Sequence, residues 1–267
     1  MQGMHRRTLL RGSAALLSTS LWPTRSLRAQ EGSTVRLGIG EWPPYFGQGL
    51  RQHGVFAHLV TEAFRREGLQ VEYQLMPWKR ALSLVESGAL HGSPGWAYSE
   101  ERARLFHYSA PVIISRDVLF YARERPLNVR GLADLEGRQI GATTGYHYGP
   151  QIEQLEQQGR LRLDRAPSDE LSLRKLLLGR LDGVLMNREV GLELLRSRFS
   201  AEERAGIEHS ERALSEKPSH MLMSRALPEV PALLQAFNRG LAKLQREGLA
   251  TRWLDEANRG AYAGVAR

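Results

Sequence analysis

From residue 33 onward, short apolar runs alternate with stretches whose apolar positions recur every three or four residues. Residues 35–39 read as a strand, and Val55, Phe56, Leu59, Val60, Ala63 and Phe64 fall on one side of a helix that Gly68 closes. Residues 71–75 are a second strand. Trp78, Ala81, Leu82 and Val85 share one face of a second helix ended by Gly88, and residues 90–96 read as a buried strand stopping in a Gly/Pro turn. Ser99 caps the next helix, with Glu100 and Glu101 favourably placed on its positive end. Residues 118–122 form a further strand. After Pro126 the pattern starts again with a strand over 138–142 and a loop over 143–149 that opens a helix. Ser168 caps a leucine-rich helix, residues 183–186 are a strand, residues 187–196 return to helix, and residues 220–224 are one more strand. Val230, Leu233, Leu234, Phe237, Leu241 and Leu244 make the clearest amphipathic helix of the chain. Strand and helix in such alternation predict an α/β fold.

A short echo links the two halves. Residues 84–92 (LVESGALHG) and 176–183 (LLLGRLDG) are each a helix end, a glycine, two residues and a short strand. The echo is too brief to count as a repeat. It points to two lobes on similar plans, whose strand ends face a shared cleft.

Residues 1–29 stand apart. They hold Arg6, Arg7, Arg11, Arg25 and Arg28, no acid, an apolar middle around Leu16, Leu17, Leu21 and Trp22, and a small residue, Ala29, at the end. This is the layout of an export signal, and Arg6-Arg7-Thr8-Leu9-Leu10-Arg11 is similar to a twin-arginine signal. The apolar run is too short and too interrupted to span a bilayer. Loss of this segment removes five arginines and lowers the formal charge from +8 to +3, so a nucleic-acid partner loses its main support. Cysteine is absent. The exported domain is therefore expected to be soluble in the periplasm, with a core that needs no disulfide.

Standard catalytic signatures are missing. Gly38-Ile39-Gly40 lacks the third glycine of a dinucleotide fingerprint, and Gly92-Ser93-Pro94-Gly95 is no nucleophile elbow. His53 and His58 are five apart, off the spacing of helical zinc ligands. No cofactor, metal or catalytic residue is assigned. What remains is a set of aromatics at element ends, Trp42, Tyr45, Trp78, Trp96 and Tyr98, which suit a small organic ligand in a cleft. Trp78 fits the core face of its own helix equally well. Arg102 sits in the first turn of its helix, where a cation is disfavoured by ~0.3–1 kcal/mol. That placement points to a carboxylate or phosphate ligand. The competing reading is a surface pair with a neighbouring glutamate, which contributes little.

Trp42-Pro43-Pro44-Tyr45, Gly88-x-Leu90-x-Gly92, Ser99-Glu100-Glu101-Arg102, Tyr108-Ser109-Ala110-Pro111, Ile140-Gly141 and Gly179-Arg180-Leu181-Asp182 carry a family likeness. Over about residues 33–257 the chain resembles the family 3 extracytoplasmic solute-binding proteins, the periplasmic amino-acid-binding type that serves ABC importers. The resemblance implies a two-lobed periplasmic binding protein fold of type II, with a ligand cleft between the lobes and two hinge crossings. These would be residues 118–122 and 220–224, so that lobe 1 comprises residues 30–122 and 220–267 and lobe 2 residues 123–219. It also implies a monomer that hands a small-molecule ligand to ABC transporter membrane subunits. By position, Arg102 would hold the ligand's carboxylate and Trp42 would stack on it; Tyr45, Trp78 and Trp96, from the aromatic set above, are further candidate ligand contacts. The loop after the first strand of lobe 2 often supplies threonines in this family, and Tyr146 and His147 stand there instead. The aspartate that takes the α-ammonium is replaced by Asn187.

Asn187 can hydrogen-bond an ammonium but supplies no charge, and charged hydrogen bonds are roughly twice as strong as neutral ones. Either Glu41 or Glu189 replaces the lost carboxylate, or the ligand is no ordinary α-amino acid. Two departures in one site favour a changed ligand. The rival function is an enzyme on the same frame, since cyclohexadienyl dehydratases share the family; Glu41, Glu189 and His147 are then the available general acids. A third is an accessory or sensory protein that keeps the fold without transport.

Overall fold

In the computed structural model, which describes residues 34–264, the first apolar run forms strand β1 (Thr34–Ile39). The export signal expected over residues 1–29 lies outside the described residues. Helix α1 (Val55–Arg65), strand β2 (Gln70–Leu75), helix α2 (Trp78–Glu86) and strand β3 (Gly92–Ala97) follow, with β1 between β2 and β3 and parallel to both. Helix α3 (Glu100–Leu105) and strand β4 (Phe106–Tyr108) lead into the long strand β5 (Ile113–Ala122).

The second half repeats the plan. Strand β6 (Gln139–Thr143), helix α4 (Pro150–Gln157), strand β7 (Arg162–Ala166), helix α5 (Asp169–Leu177) and strand β8 (Gly183–Asn187) again place the first strand between the other two, all parallel. In both halves a positive-φ glycine closes the second helix, Gly88 at φ +79° and Gly179 at φ +70°. The sequence echo is thus one structural unit used twice. Helices α6 (Arg188–Arg198) and α7 (Ala201–Ala205) and strands β9 (Ile207–His209) and β10 (Ser215–Ser224) come next. Helices α8 (Val230–Arg246) and α9 (Leu249–Asn258) end the described chain.

Strands β5 and β10 join the lobes, in the spatial order β2-β1-β3-β10-β5-β8-β6-β7. Residues 113–117 of β5 pair with residues 215–219 of β10, antiparallel. Beyond them β5 pairs with β8 and β9, while β10 runs along β3 and β4. There are two crossings, but each lies half a strand earlier than residues 118–122 and 220–224. Those residues read as strand because, lying inside a lobe, they are apolar and buried. The crossing halves carry Ser115, Arg116, Asp117, Glu216 and Lys217, with alternate side chains exposed, and so show no apolar run.

Lobe 1 packs α1 and α8 on its sheet through Val35, Leu37, Phe56, Val60, Phe64 and Phe237. Each such side chain contributes roughly 1.5–3 kcal/mol of burial. In lobe 2, Leu173, Leu176 and Val184 pack on one face of the sheet and Ile140, Ile152 and Leu185 on the other. No helix of the described residues is long and apolar enough to cross a membrane.

An ionic cluster braces α1. Glu62 accepts from Arg65 Nε at 2.6 Å and Arg66 Nε at 3.0 Å, and Arg66 continues to Glu247 at 2.5 Å. The hydrogen bond from Arg65, with Arg66 adding to it against the cost of burial, holds the Glu62 carboxyl down at about 2. A depressed folded-state pKa stabilises above the unfolded value, about 4.3, and that stabilisation fades as pH falls through the folded value. Glu62→Gln is therefore expected to lower the melting temperature at pH 7, and the gap from wild type should close between about pH 4 and pH 2. A pH-independent gap in thermal denaturation would assign Glu62 a role other than charge.

Candidate functional site

Because β1 and β3 run parallel, the loops after them leave the same edge of the lobe 1 sheet. The loop after β1 closes on itself: Trp42 N donates to Phe46 O at 2.9 Å and Phe46 N to Trp42 O at 3.0 Å. The turn sets Trp42 and Tyr45 ring to ring, 4.7 Å between centroids. Gly54, at φ +103°, lets α1 start against this turn, since a Cβ there would lie 2.3 Å from the Tyr45 carbonyl oxygen. Trp78 lies over Gly40 and meets both Phe46 and Trp96 edge-on at 5.5 Å. Its ring packs against the lobe 1 core. The Arg102 guanidinium stacks 5.0 Å over Trp96 and donates to Ala97 O at 3.3 Å. Ser99 caps α3 by accepting from Arg102 N. Among the described residues no carboxylate lies within ion-pair distance of Arg102, so the surface pair with a glutamate does not form.

Lobe 2 presents the ends of β6, β7 and β8. Asn187 is buried and committed on both sides: its Oδ1 accepts from Val190 N at 3.0 Å, capping α6, and its Nδ2 donates to Ser115 Oγ at 2.9 Å. Glu189, buried in the first turn of α6, accepts from the Tyr45 hydroxyl at 3.0 Å, a bond from one lobe to the other. Asp169, the first residue of α5, is buried and accepts from Thr143 Oγ1 at 2.5 Å, with the Tyr146 hydroxyl nearby. Asp117 is buried where β5 changes partner and pairs with Lys217 Nζ at 2.5 Å. Burial pushes the carboxyls of Asp117 and Asp169 upward; Lys217 opposes this at Asp117, and the Thr143 and Tyr146 donors oppose it at Asp169. Burial, then the Glu189 charge, pushes the Tyr45 phenol far up, and burial does the same at Tyr146 and Tyr148. These phenols remain protonated donors.

Across the gap, Trp42 faces Tyr146. The buried Trp42 indole N–H falls short of hydrogen-bond geometry with the hydroxyl that it faces and has no other partner among the described residues. Trp42, Tyr45, Tyr146 and Asn187 therefore meet where the lobes touch, with Trp78, Trp96 and Arg102 along the lobe 1 edge. His147 does not join them. Its carbonyl accepts from Lys217 at 2.7 Å, while its ring, 78% exposed, lies beside Glu153 on the surface. Glu41 is exposed and accepts from Gln48 N, so it is not the replacement carboxylate either. Tyr98 is 60% exposed. Asp117, Asp169 and Lys217 escaped the sequence reading. Strand β7 carries Arg162, Asp164 and Arg165 and gives no apolar run, so Asp169 looked like an ordinary helix start rather than part of a third strand-end loop.

Asn187→Asp keeps an acceptor for Val190 N but removes the donor to Ser115 and adds a charge opposite Asp117, near Glu189. Like charges in a buried site disfavour each other. The variant is expected to lose ~1–3 kcal/mol, the cost of a spoiled buried polar group, seen as a melting temperature lower by several degrees. An unchanged value would mean that position 187 does not sense those acids.

The sequence profile of the bacterial extracellular solute-binding proteins, family 3, matches residues 36–256. The L-cystine-binding protein of Escherichia coli is 22% identical over 234 residues, 85% of this chain and 84% of that protein. Among solved structures, a histidine kinase sensor domain with similarity to periplasmic binding proteins is 25% identical, with a TM-score of 0.62 and coverage of 88% of this chain and 98% of that one. An amino acid ABC transporter substrate-binding protein from Streptococcus pneumoniae, bound to L-arginine, superposes with a TM-score of 0.63 at 17% identity, covering 86% of this chain and 96% of that one. With two lobes on one plan, two crossings and a cleft between, the match leaves no doubt of kinship: this chain belongs to the bacterial extracellular solute-binding proteins, family 3.

Proposed function

We propose that this chain is a periplasmic binding protein that captures a small carboxylate-bearing solute of the amino-acid class and passes it to the membrane subunits of an ABC importer. The carrying observation is Arg102, a guanidinium laid over Trp96 at the cleft edge with no carboxylate partner among the described residues. A guanidinium offers two parallel donors to a carboxylate. The export-type leader and the extracellular family support the location, and the arginine- and cystine-binding relatives support the solute class. Capture closes the lobes on the solute, and the Tyr45 hydroxyl already bonds Glu189 of the other lobe. Inside the closed cleft, attraction to Arg102 is screened less than in water.

A thermal-shift screen over amino acids, organic acids and polyamines tests this reading, because a ligand that binds only the folded state raises its apparent stability. Compounds bearing a carboxylate are expected to raise the melting temperature of the protein. Stabilisation by polyamines alone would contradict the role given to Arg102. Turnover of prephenate would instead support the dehydratase reading, with Glu189 as the one acid of its three that is buried at the cleft.

A further inference from the structure

Gly95 breaks the alternation of β3. Its φ is +100°, and the pairing with β10 slips by one residue there, since Trp96 lies opposite His220 but Pro94 opposite Met221. Such a bulge sets residues three apart on the same face of a sheet, where an unbroken strand would set them on opposite faces. Ser93, opposite Leu222, and Trp96 thus come together, and the Trp96 indole Nε1 donates to Ser93 Oγ at 2.9 Å. Tyr108 of β4 lies opposite Leu222 from the other side and shares that face. Its hydroxyl donates to Ala97 O and accepts from Ser99 N, both at 3.2 Å. These contacts converge on Arg102. Its guanidinium lies 5.0 Å over the Trp96 ring, and its Nη1 donates at 3.3 Å to Ala97 O, the carbonyl that Tyr108 holds.

We infer that Ser93 and Tyr108 are positioning residues for the cleft arginine: Ser93 fixes the ring under the guanidinium face, and Tyr108 fixes the carbonyl that holds its Nη1. This deepens the carboxylate reading above and rests on it. Among the described residues, Nε and Nη2 of Arg102 make no hydrogen bond, so that edge is left for the two oxygens of a carboxylate. An arginine held at its face and at one nitrogen gives up less freedom when the solute arrives than one that swings free. Trp96 then serves the arginine rather than the solute. Ser93 is fully buried and acts only through that ring.

The test uses the whole protein and calorimetry, with the standard L-amino acids, L-cystine and simple dicarboxylic acids as probes. The tightest binder is compared with its carboxamide, which keeps the shape and loses the charge. Arg102→Ala is expected to bring the acid down to the level of the amide. Ser93→Ala, Trp96→Phe and Tyr108→Phe are each expected to weaken the acid roughly two- to tenfold, the range for ordering one long side chain. All three should leave the amide near its wild-type affinity. Ser93→Ala combined with Trp96→Phe should weaken the acid no further than either alone, because both remove the same hydrogen bond. A purely structural serine or tyrosine would lower the melting temperature and leave the acid-to-amide ratio as in wild type. That ratio unchanged in all three variants, while Arg102→Ala loses it, overturns the positioning and leaves the carboxylate reading intact. If Ser93→Ala does not fold, an unchanged ratio in Trp96→Phe and Tyr108→Phe overturns it. A wild type that binds no probe, or binds acid and amide alike, overturns both.

Discussion

Arg102→Ala is expected to abolish capture of the solute, while Arg104→Ala leaves it nearly intact. Both arginines sit on the short helix α3, but two residues apart on a helix they face different sides. Arg102 stacks on Trp96 and bonds Ala97 O, so its guanidinium is already oriented before a ligand arrives. Little ordering entropy is then lost on binding, which is where preorganised sites gain affinity. Removing one partner of a desolvated charge pair costs roughly 2–5 kcal/mol, or about thirtyfold to several thousandfold in affinity. The unliganded fold should change little, because the guanidinium has no carboxylate to abandon. Equal affinities of the two variants in calorimetry would return Arg102 to the surface.

Gly240→Val is expected to destabilise lobe 1 markedly. Gly240 lies in α8 where it crosses α1, and a Cβ there would stand 1.9 Å from the Ala63 carbonyl oxygen and 2.8 Å from its carbon. The obstacle is backbone, so no rotamer change relieves it and the helices must separate. Separation loosens the Phe64 and Phe237 rings, whose centroids are 5.0 Å apart. Losing a helical glycine returns at most ~1 kcal/mol of propensity, whereas overpacking a tight core costs typically 1–3 kcal/mol and more where backbone must move. The net loss of about 2–3 kcal/mol should lower the melting temperature by roughly 4–12 °C. A melting temperature equal to that of wild type would contradict the close approach of α1 and α8.

Most elements of lobe 1 were legible because their apolar residues follow the helix or strand period without interruption. The echo at Gly88 and Gly179 carried the two-lobe plan as well, since each glycine closes a helix that feeds a central strand. The crossings were misplaced for a physical reason. The strand pair between lobes is polar on both faces, with Ser115 and Asp117 buried and Arg116 and Glu216 exposed, so it carries no run of valine and leucine. The cleft was legible where it is aromatic or cationic, at Trp42, Tyr45 and Arg102. It was illegible at its buried acids. Asn187 drew attention by lacking a charge, yet it is a helix cap, while Asp169 was concealed behind a strand made of arginine and aspartate. His147 shows the opposite error, because a loop position fixed the residue but not the side toward which its ring turns.

The most direct measurement is a crystal structure grown with the tightest carboxylate-bearing compound from the thermal-shift screen. The predicted result is that compound enclosed between the lobes, its carboxylate hydrogen-bonded to the Arg102 guanidinium and its body against Trp42. A compound seated outside the cleft, or one inside it that leaves Arg102 without an anion, would contradict the account.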